Sequence, residues 1–350
     1  MHSGKKIYMP AEWEQHSATQ LQWPSNLKLW PGEILKKLEE MYCKIIEELH
    51  FFEVIHLFVE DLSVRNRVMN KLSLKAVDLD RIVIHQKKIN DIWARDCGPI
   101  FAKNEQGDQV IIDWGFNAWG KKYMPWSDDD SIPSFVAHKY NKKCLYPGMI
   151  LEGGSIEVNG KGDILTTESV LLNENRNPDR SKNDIEKKLR EYLGAEQVIW
   201  LKEGLSDDGR DGQIQNVTRW LNKDTVLTVV TTDESHPDHD TLQENLETLK
   251  TVILTNDKPL NVEILELPEC SSDNADSSYM KNKGLSYSGF YIANGAVLVP
   301  QFGQSRDREV RGLLKRYFPG RKIIPIDCTS IAYRAGNIHS ITQQWQGITY

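Results

Sequence analysis

The sequence predicts an α/β protein built from five repeats of a ββαβ-like unit, closed into a ring by the two ends of the chain. Three observations carry this prediction. Short β-branched runs recur in one order of parts: a lead strand, a polar loop and a hairpin, usually with a helix. The turn signal Asn159-Gly160 falls inside one of those hairpins. The last unit lacks a strand that a segment near the N-terminus can supply.

Taken in order, HSATQLQWP (16–24) is that supplying segment. The helix EILKKLEEMYCKIIEEL (33–49) follows, with Ile34, Leu35, Leu38, Met41, Ile45, Ile46 and Leu49 on one side at helical spacing. RIVIHQ (81–86) leads through NDIWARD (90–96) into GPIFAKNEQGDQVIIDW (98–114), which reads as a hairpin. CLYPGM (144–149) leads into LEGGSIEVNGKGDILTT (151–167), and the helix DIEKKLREYL (184–193) follows Ser181 with Asp184 three residues on, a cap-like start. QVIWL (197–201) leads into DGQIQNVTRWLNKDTVLTVV (211–230), then into the helix TLQENLETLK (241–250), which Asp240 is expected to cap. VEILELP (262–268) precedes SYSGFYIANGAVLVPQF (286–302) and the helix DREVRGLLKRYF (307–318). KIIPID (322–327) leads into GNIHSITQQ (336–344), which the N-terminal segment completes. No Pro/Ser-rich linker or low-complexity tract divides the chain, so a single domain over 1–350 is expected.

Composition narrows the function. With 39% hydrophobic and 27% charged residues and a formal net charge of -7, the chain has no basic face for nucleic acid or anionic lipid. It has no apolar run of transmembrane length and no apolar h-region near the N-terminus, so a cytoplasmic location with no membrane partner is expected. Cys43, Cys97, Cys144, Cys270 and Cys328 are scattered, without a CxxC pair, and are expected reduced and mostly buried, forming neither a disulfide framework nor a metal knuckle. HPDHD (236–240) has metal-ligand residue types at tight spacing, but solvated histidines are the expected state.

In a closed ring, the residues at the start of each hairpin occupy equivalent places and converge on the axis. Those places hold Trp93 and Asp96, Glu152, Gln213 and Gln215, the Tyr287 region, and His339-Ser340. Convergent polar groups from separate units are what a small-molecule site requires.

The segments MPAEWEQHSATQLQWP, NDIWARDCGPIF, IDWGFNAWG, ILEGGSIEVNGKGDILTTESVLLNENRNP, FYIANGAVLVPQF and GNIHSITQQ resemble, in order, the successive signatures of the agmatine deiminase and bacterial peptidylarginine deiminase family. The resemblance spans essentially the whole chain. It implies the pentein fold, a five-bladed pseudo-symmetric α/β propeller around a central site, in agreement with the repeat. It also implies hydrolysis of a guanidinium group with no metal or cofactor. In that reaction a cysteine thiolate attacks the guanidinium carbon and ammonia leaves. Water then cleaves the amidino-thioether while a histidine serves as acid and then base. For agmatine the products would be N-carbamoylputrescine and ammonia, a step toward putrescine. The implied partner is a small cationic guanidino compound, and a homo-oligomer is compatible with it.

Carried over by position, the resemblance makes Asp96 in WARD the first guanidinium-binding aspartate and Glu152 in LEGG the second acidic residue of the pocket. Trp93, and with weaker correspondence Trp119 in FNAWG, become its aromatic walls. Three positions depart. The family reads DGHxD where this chain has DGQIQ, which places Gln213 at the general acid/base and Gln215 at the second substrate aspartate. It reads NIHC where this chain has NIHS, which places Ser340 at the nucleophile.

A serine hydroxyl is not ionised at neutral pH and needs a base to attack. An amide is no such base. Losing nucleophile and base together costs on the order of a millionfold in turnover, and Gln215 removes an anion from the pocket. Arg210 in GRDG stands where the family has a small polar residue, and Arg334-Ala335 stand where small residues are usual; added cations there would repel or displace a cationic substrate.

The expectation is therefore a family member without catalysis that at most binds a guanidine-like ligand. An engineered or active deiminase, and a non-catalytic subunit of an active relative, stay open as alternatives. His339 as a replacement base and Cys97 as a displaced nucleophile are both disfavoured, because adjacent strand positions point to opposite faces. For Asp96 and Glu152 the plain alternative is that they satisfy backbone N–H groups.

Overall fold

A computed structural model of the chain describes residues 7–269 and 285–348; Cys270 and the first six residues lie outside them. Five small sheets are present among the described residues. In four of them, an antiparallel hairpin is extended by a parallel strand reached through a helical crossover. Ile100–Asn104 and Gln109–Ile112 are joined by Lys143–Leu145, with Ile7–Tyr8 added on the free edge. Ile156–Val158 and Asp163–Thr167 are joined by Gln197–Leu201, and Thr218–Asn222 and Thr225–Val230 by Asn261–Glu266. Tyr291–Ile292 and Ala296–Gln301 are joined by Lys322–Asp327.

The fifth sheet closes the ring. Gln343–Trp345, near the C-terminus, pairs antiparallel with Ala18–Gln22, Gln343 facing Gln20, and Val54–Val59 and Ile82–Gln86 continue it in parallel. This is the five-bladed pentein propeller that the sequence predicts.

The helices form where the pattern places them. Gly32–Leu49 buries Leu35, Leu38, Met41, Ile45, Ile46 and Leu49, a stripe at helical spacing. Lys182–Leu193 begins with a capping box between Ser181 and Asp184 and ends on Gly194 in the left-handed conformation. The hairpin turn at Asn159-Gly160 uses Gly160 at φ 68°.

Asp240 does not cap its helix. His239–Lys250 starts two residues earlier, at the N-cap Asp238, whose carboxylate instead accepts the Ser206 N–H at 3.0 Å. Asp240 lies in the first turn, where its charge suits the helix dipole.

Four of the five lead-ins to the hairpins are single helical turns: Ala94–Cys97, Gly153–Ser155, Ile214–Asn216 and Ile338–Ile341. These turns pack against one another at the hub. The strand-alternation argument for His339-Ser340 and for Asp96-Cys97 therefore fails, since both pairs lie in helical turns. The cause at the C-terminal pair is Asn337, whose side chain caps the turn by accepting the Ser340 N–H at 2.9 Å. Among the described residues no helix is long and apolar enough to cross a membrane.

Candidate functional site

The hub is polar and sealed. Asp96, Glu152, Gln213, Gln215, Asn216, Asn337, His339 and Ser340 are all buried, each with 3% or less of its surface exposed. Buried polar groups must find partners, so their bonding determines what the site can do.

Asp96 is the focus. Its Oδ1 accepts the Gly154 N–H at 3.2 Å and Gln213 Nε2 at 3.1 Å, and its Oδ2 accepts the Trp119 indole N–H at 3.2 Å. Burial pushes its pKa up to about 6, against the opposing pull of Arg210 and with the help of Glu152. A Cβ on Gly154 would collide with the Gln215 side chain and fall 2.7 Å from Asp96 Oδ1, so only glycine lets this backbone approach.

Trp93 and Trp119 stand edge to face, ring centres 6.0 Å apart. The Arg210 guanidinium lies against both, 4.2 Å from the centre of Trp93 and 5.0 Å from that of Trp119. Its Nε is 3.6 Å from Asp96 Oδ2, and its Nη1 donates to the carbonyls of Asp208 at 2.9 Å and Ala335 at 2.8 Å.

The loop behind Arg210 is wound tightly. The Asp208 carboxylate accepts the backbone N–H groups of Arg210, Gly212 and Gln213, while Gly209, Asp211 and Gly212 take positive φ. Glycine and aspartate tolerate that conformation better than most residues.

Glu152 reaches another arginine. Arg176 Nε donates to its Oε1 at 2.6 Å, and Arg176 Nη1 donates to Asp211 Oδ2 at 2.7 Å. The side chains of Glu152 and Arg176 are fully buried. The pairing with Glu152 and Asp211 outweighs burial and raises the Arg176 pKa.

Gln213 and Gln215 continue the chain of bonds away from Asp96. Gln215 Nε2 donates to Gln213 Oε1 at 2.6 Å, and Gln215 Oε1 contacts His339 Nδ1 at 2.7 Å. His339 Nε2 is 2.7 Å from Glu12 Oε2. Burial, reinforced by Arg219 and Arg95, holds the imidazole well below its ordinary pKa. Burial alone would raise the Glu12 carboxyl, but Arg219, His339 and Arg95 outweigh it and hold that pKa low.

Ser340 faces a different neighbour. Its hydroxyl donates to Asn337 Oδ1 at 3.0 Å, and Asn337 Nδ2 donates to Asn216 Oδ1 at 2.6 Å. Among the described residues no ionisable side chain hydrogen-bonds to Ser340.

Arg334 lies on the outer side of Trp93. It pairs with Asp91 Oδ2 at 2.5 Å and lies 4.8 Å from the centre of Tyr123 and 5.9 Å from that of Trp93. A cleft of about 340 Å³ opens beside it, lined in part by Asp91, Trp93, Phe116, Trp119, Tyr123 and Trp126.

The ring thus brings Trp93, Asp96, Trp119, Gln213, Gln215 and Arg210 into one chamber. Glu152 borders it through Arg176, and Ser340 is held apart by Asn337. The Tyr287 region reaches the hub through Ser288 and Gly289, which bond Gln215 and His339 through Ser288 Oγ and the Gly289 carbonyl, while the Tyr287 hydroxyl donates to Asp307 Oδ1 at 2.7 Å. Cys97 points away to Gln22 and the Trp93 carbonyl. The two histidines of HPDHD are partly exposed, and among the described residues no group of three or more His, Cys, Asp or Glu is placed to hold a metal ion.

Sequence reasoning missed Arg176, Asp208 and Asn337. Arg176 sits in NENRNP, where an arginine among amides was the available signal. It also missed the buried cluster of Glu12, Arg95, Arg219 and Glu157 beneath His339.

Comparison with known proteins agrees with this architecture. The sequence profile of the Porphyromonas-type peptidyl-arginine deiminase family matches residues 8–345. The agmatine deiminase of Ectopseudomonas mendocina is 33% identical, over 97% of this chain and 95% of its own length. The solved agmatine deiminase of Enterococcus faecalis superimposes with a TM-score of 0.88 at 28% identity, covering 100% of this chain and 99% of that one. A cysteine-to-serine variant of C. jejuni agmatine deiminase, solved with substrate bound, superimposes with a TM-score of 0.86 at 27% identity, covering 100% and 99%.

Proposed function

This chain belongs to the Porphyromonas-type peptidyl-arginine deiminase family, and from that premise we propose that it is a non-catalytic member retaining the scaffold and the guanidinium-type chamber without the hydrolytic chemistry. The reading assigns Ser340 to the nucleophile position, Gln213 to the acid/base position and Gln215 to a substrate-carboxylate position. Asp96, Glu152, Trp93 and Trp119 remain as the anionic and aromatic parts of the chamber.

The observation that carries it is the bonding of those three side chains. Ser340 donates to an asparagine amide, and Gln213 and Gln215 bond each other between Asp96 and His339. An amide neither accepts nor releases a proton at useful pKa, so neither Asn337 nor Gln213 supplies a base for the hydroxyl. The imidazole of His339 is engaged by Gln215 and Glu12. The free cysteines Cys43, Cys97, Cys144 and Cys328 accord with the cytoplasmic location we assign.

The test is ammonia release from agmatine by the unaltered chain beside Ser340→Ala. We expect both to stay at the buffer background. Release by the unaltered chain that Ser340→Ala abolishes would establish a working serine and overturn the proposal.

A further inference from the structure

The chamber that would receive a guanidinium already contains one. Arg210 is 3% exposed, its guanidinium carbon lies 4.2 Å from the Trp93 ring centre, and its Nε is 3.6 Å from Asp96 Oδ2. Two indole faces opposite a carboxylate form a receptor for a planar delocalised cation. We propose that Arg210 is the resident ligand of this chamber and that, by filling it, Arg210 excludes guanidino compounds in solution. The inference rests on the reading of the chamber as a guanidinium site and adds what occupies it.

Two further features separate a guest from an ordinary structural arginine. The Nε of Arg210 stands 3.6 Å from the carboxylate it faces, beyond hydrogen-bond distance, whereas Arg219 Nε lies 2.5 Å from Glu157 Oε1. Arginines that hold the fold together here are better met: Arg219 binds Glu12 and the carbonyls of Ser288 and Phe290, and Arg95 binds Glu12 and Gln344. The loop that carries Arg210 is also shaped to deliver it. Positive φ at Gly209, Asp211 and Gly212, and three backbone N–H groups gathered on the Asp208 carboxylate, turn the Arg210 side chain inward. Its Nη1 then bridges the carbonyls of Asp208 and Ala335, tying the loop to the Arg334-Ala335 segment across the chamber.

Removing the guest should leave a cavity of its own chemistry. In Arg210→Ala the cation is lost while Trp93, Trp119 and Asp96 remain, so ethylguanidinium or agmatine can take the vacated place. Calorimetric titration with each compound at millimolar concentration is the experiment. We expect the variant to bind about tenfold or more tightly than the unaltered chain, with ethylammonium, of equal charge but not planar, failing to substitute. The variant's melting temperature should fall, and ethylguanidinium should recover part of the loss.

Equal binding by the unaltered chain would show an open chamber and overturn the proposal. A folded variant that gains no guanidinium binding would show that the chamber is no such receptor, and overturns it as well. If Arg210→Ala does not fold, Arg210→Lys and the unaltered chain decide the matter by arginine Nε–H resonances. A ring-current-shifted signal absent from Arg210→Lys and unmoved by agmatine supports the inference; displacement of that signal by agmatine refutes it. Failure of catalytic silence would be read separately, as ammonia release.

Discussion

Glu152 and Arg176 form a fully buried ion pair, Arg176 Nε donating to Glu152 Oε1 at 2.6 Å. A carboxylate expected to face substrate is thus neutralised by the chain's own guanidinium. The pair also joins two loops, because Arg176 continues to Asp211 and to the Arg210 carbonyl.

Breaking that pair from one side leaves a buried arginine with reduced compensation. Glu152→Gln should destabilise the protein by about 3 kcal/mol, somewhat offset by the Asp211 contact. Urea denaturation of the two proteins measures it. A loss below about 0.5 kcal/mol would mean that water reaches Arg176 and the pair is not sealed.

Cys97 should be inert. Burial, with Asp129 and Asp96 nearby, raises its thiol well above the ordinary range, and its Sγ donates to Gln22 and to the Trp93 carbonyl. Among the described cysteines, iodoacetamide should label the partly exposed Cys144 first and Cys97 only after unfolding, read by peptide mass spectrometry. Rapid native labelling of Cys97 would revive it as a displaced nucleophile.

Stability should fall on the alkaline side of neutrality. Burial pushes the carboxyls of Asp129, Glu157 and Asp113 up to about 8, 7 and 7. Such groups hold protons in the native state that the unfolded chain has released, so their contribution is full below about pH 4 and is lost as pH rises through the folded values. Buried His56 and His85, pulled down to about 2 and 3, act oppositely, but only up to their ordinary value of 6.5. Above that the carboxyls dominate, and His16, whose pKa is raised by Glu53 against burial, has the same sign. The melting temperature should drop by several degrees between about pH 6.5 and 8.5. A flat or rising profile would contradict the buried state of these acids.

The fold was legible because its signals are local. The β-branched run Thr225–Val230, the Asn159-Gly160 turn and the helical stripe of Gly32–Leu49 each fix an element by themselves, and the Gln343–Trp345 segment needs a distant partner. The membership of the hub was legible for the same reason, since equivalent places in a ring converge.

Its bonding was not. Whether Glu152 meets substrate or Arg176 depends on two loops meeting in space, and no spacing in the sequence encodes it. The inward course of Arg210 follows from left-handed turns at Gly209, Asp211 and Gly212, which a GRDG string permits but does not impose. The helical turn at Ile338–Ile341 is not legible in a short β-like run, because one side-chain cap, Asn337, decides it. Within the Tyr287 region, the string does not say that Ser288 and Gly289 reach the hub while the Tyr287 hydroxyl turns to Asp307.

If the proposed function and the role proposed for Arg210 hold, two separate changes silence this site: Gln213, Gln215 and Ser340 at the reactive positions, and Arg210 within the chamber. Ammonia release from agmatine by the triple variant Gln213→His, Gln215→Asp, Ser340→Cys, with and without Arg210→Ser, tests it most directly. The account predicts background release from the triple variant and turnover once Arg210 is also replaced. Equal turnover with Arg210 present and absent, or silence of both, would contradict it.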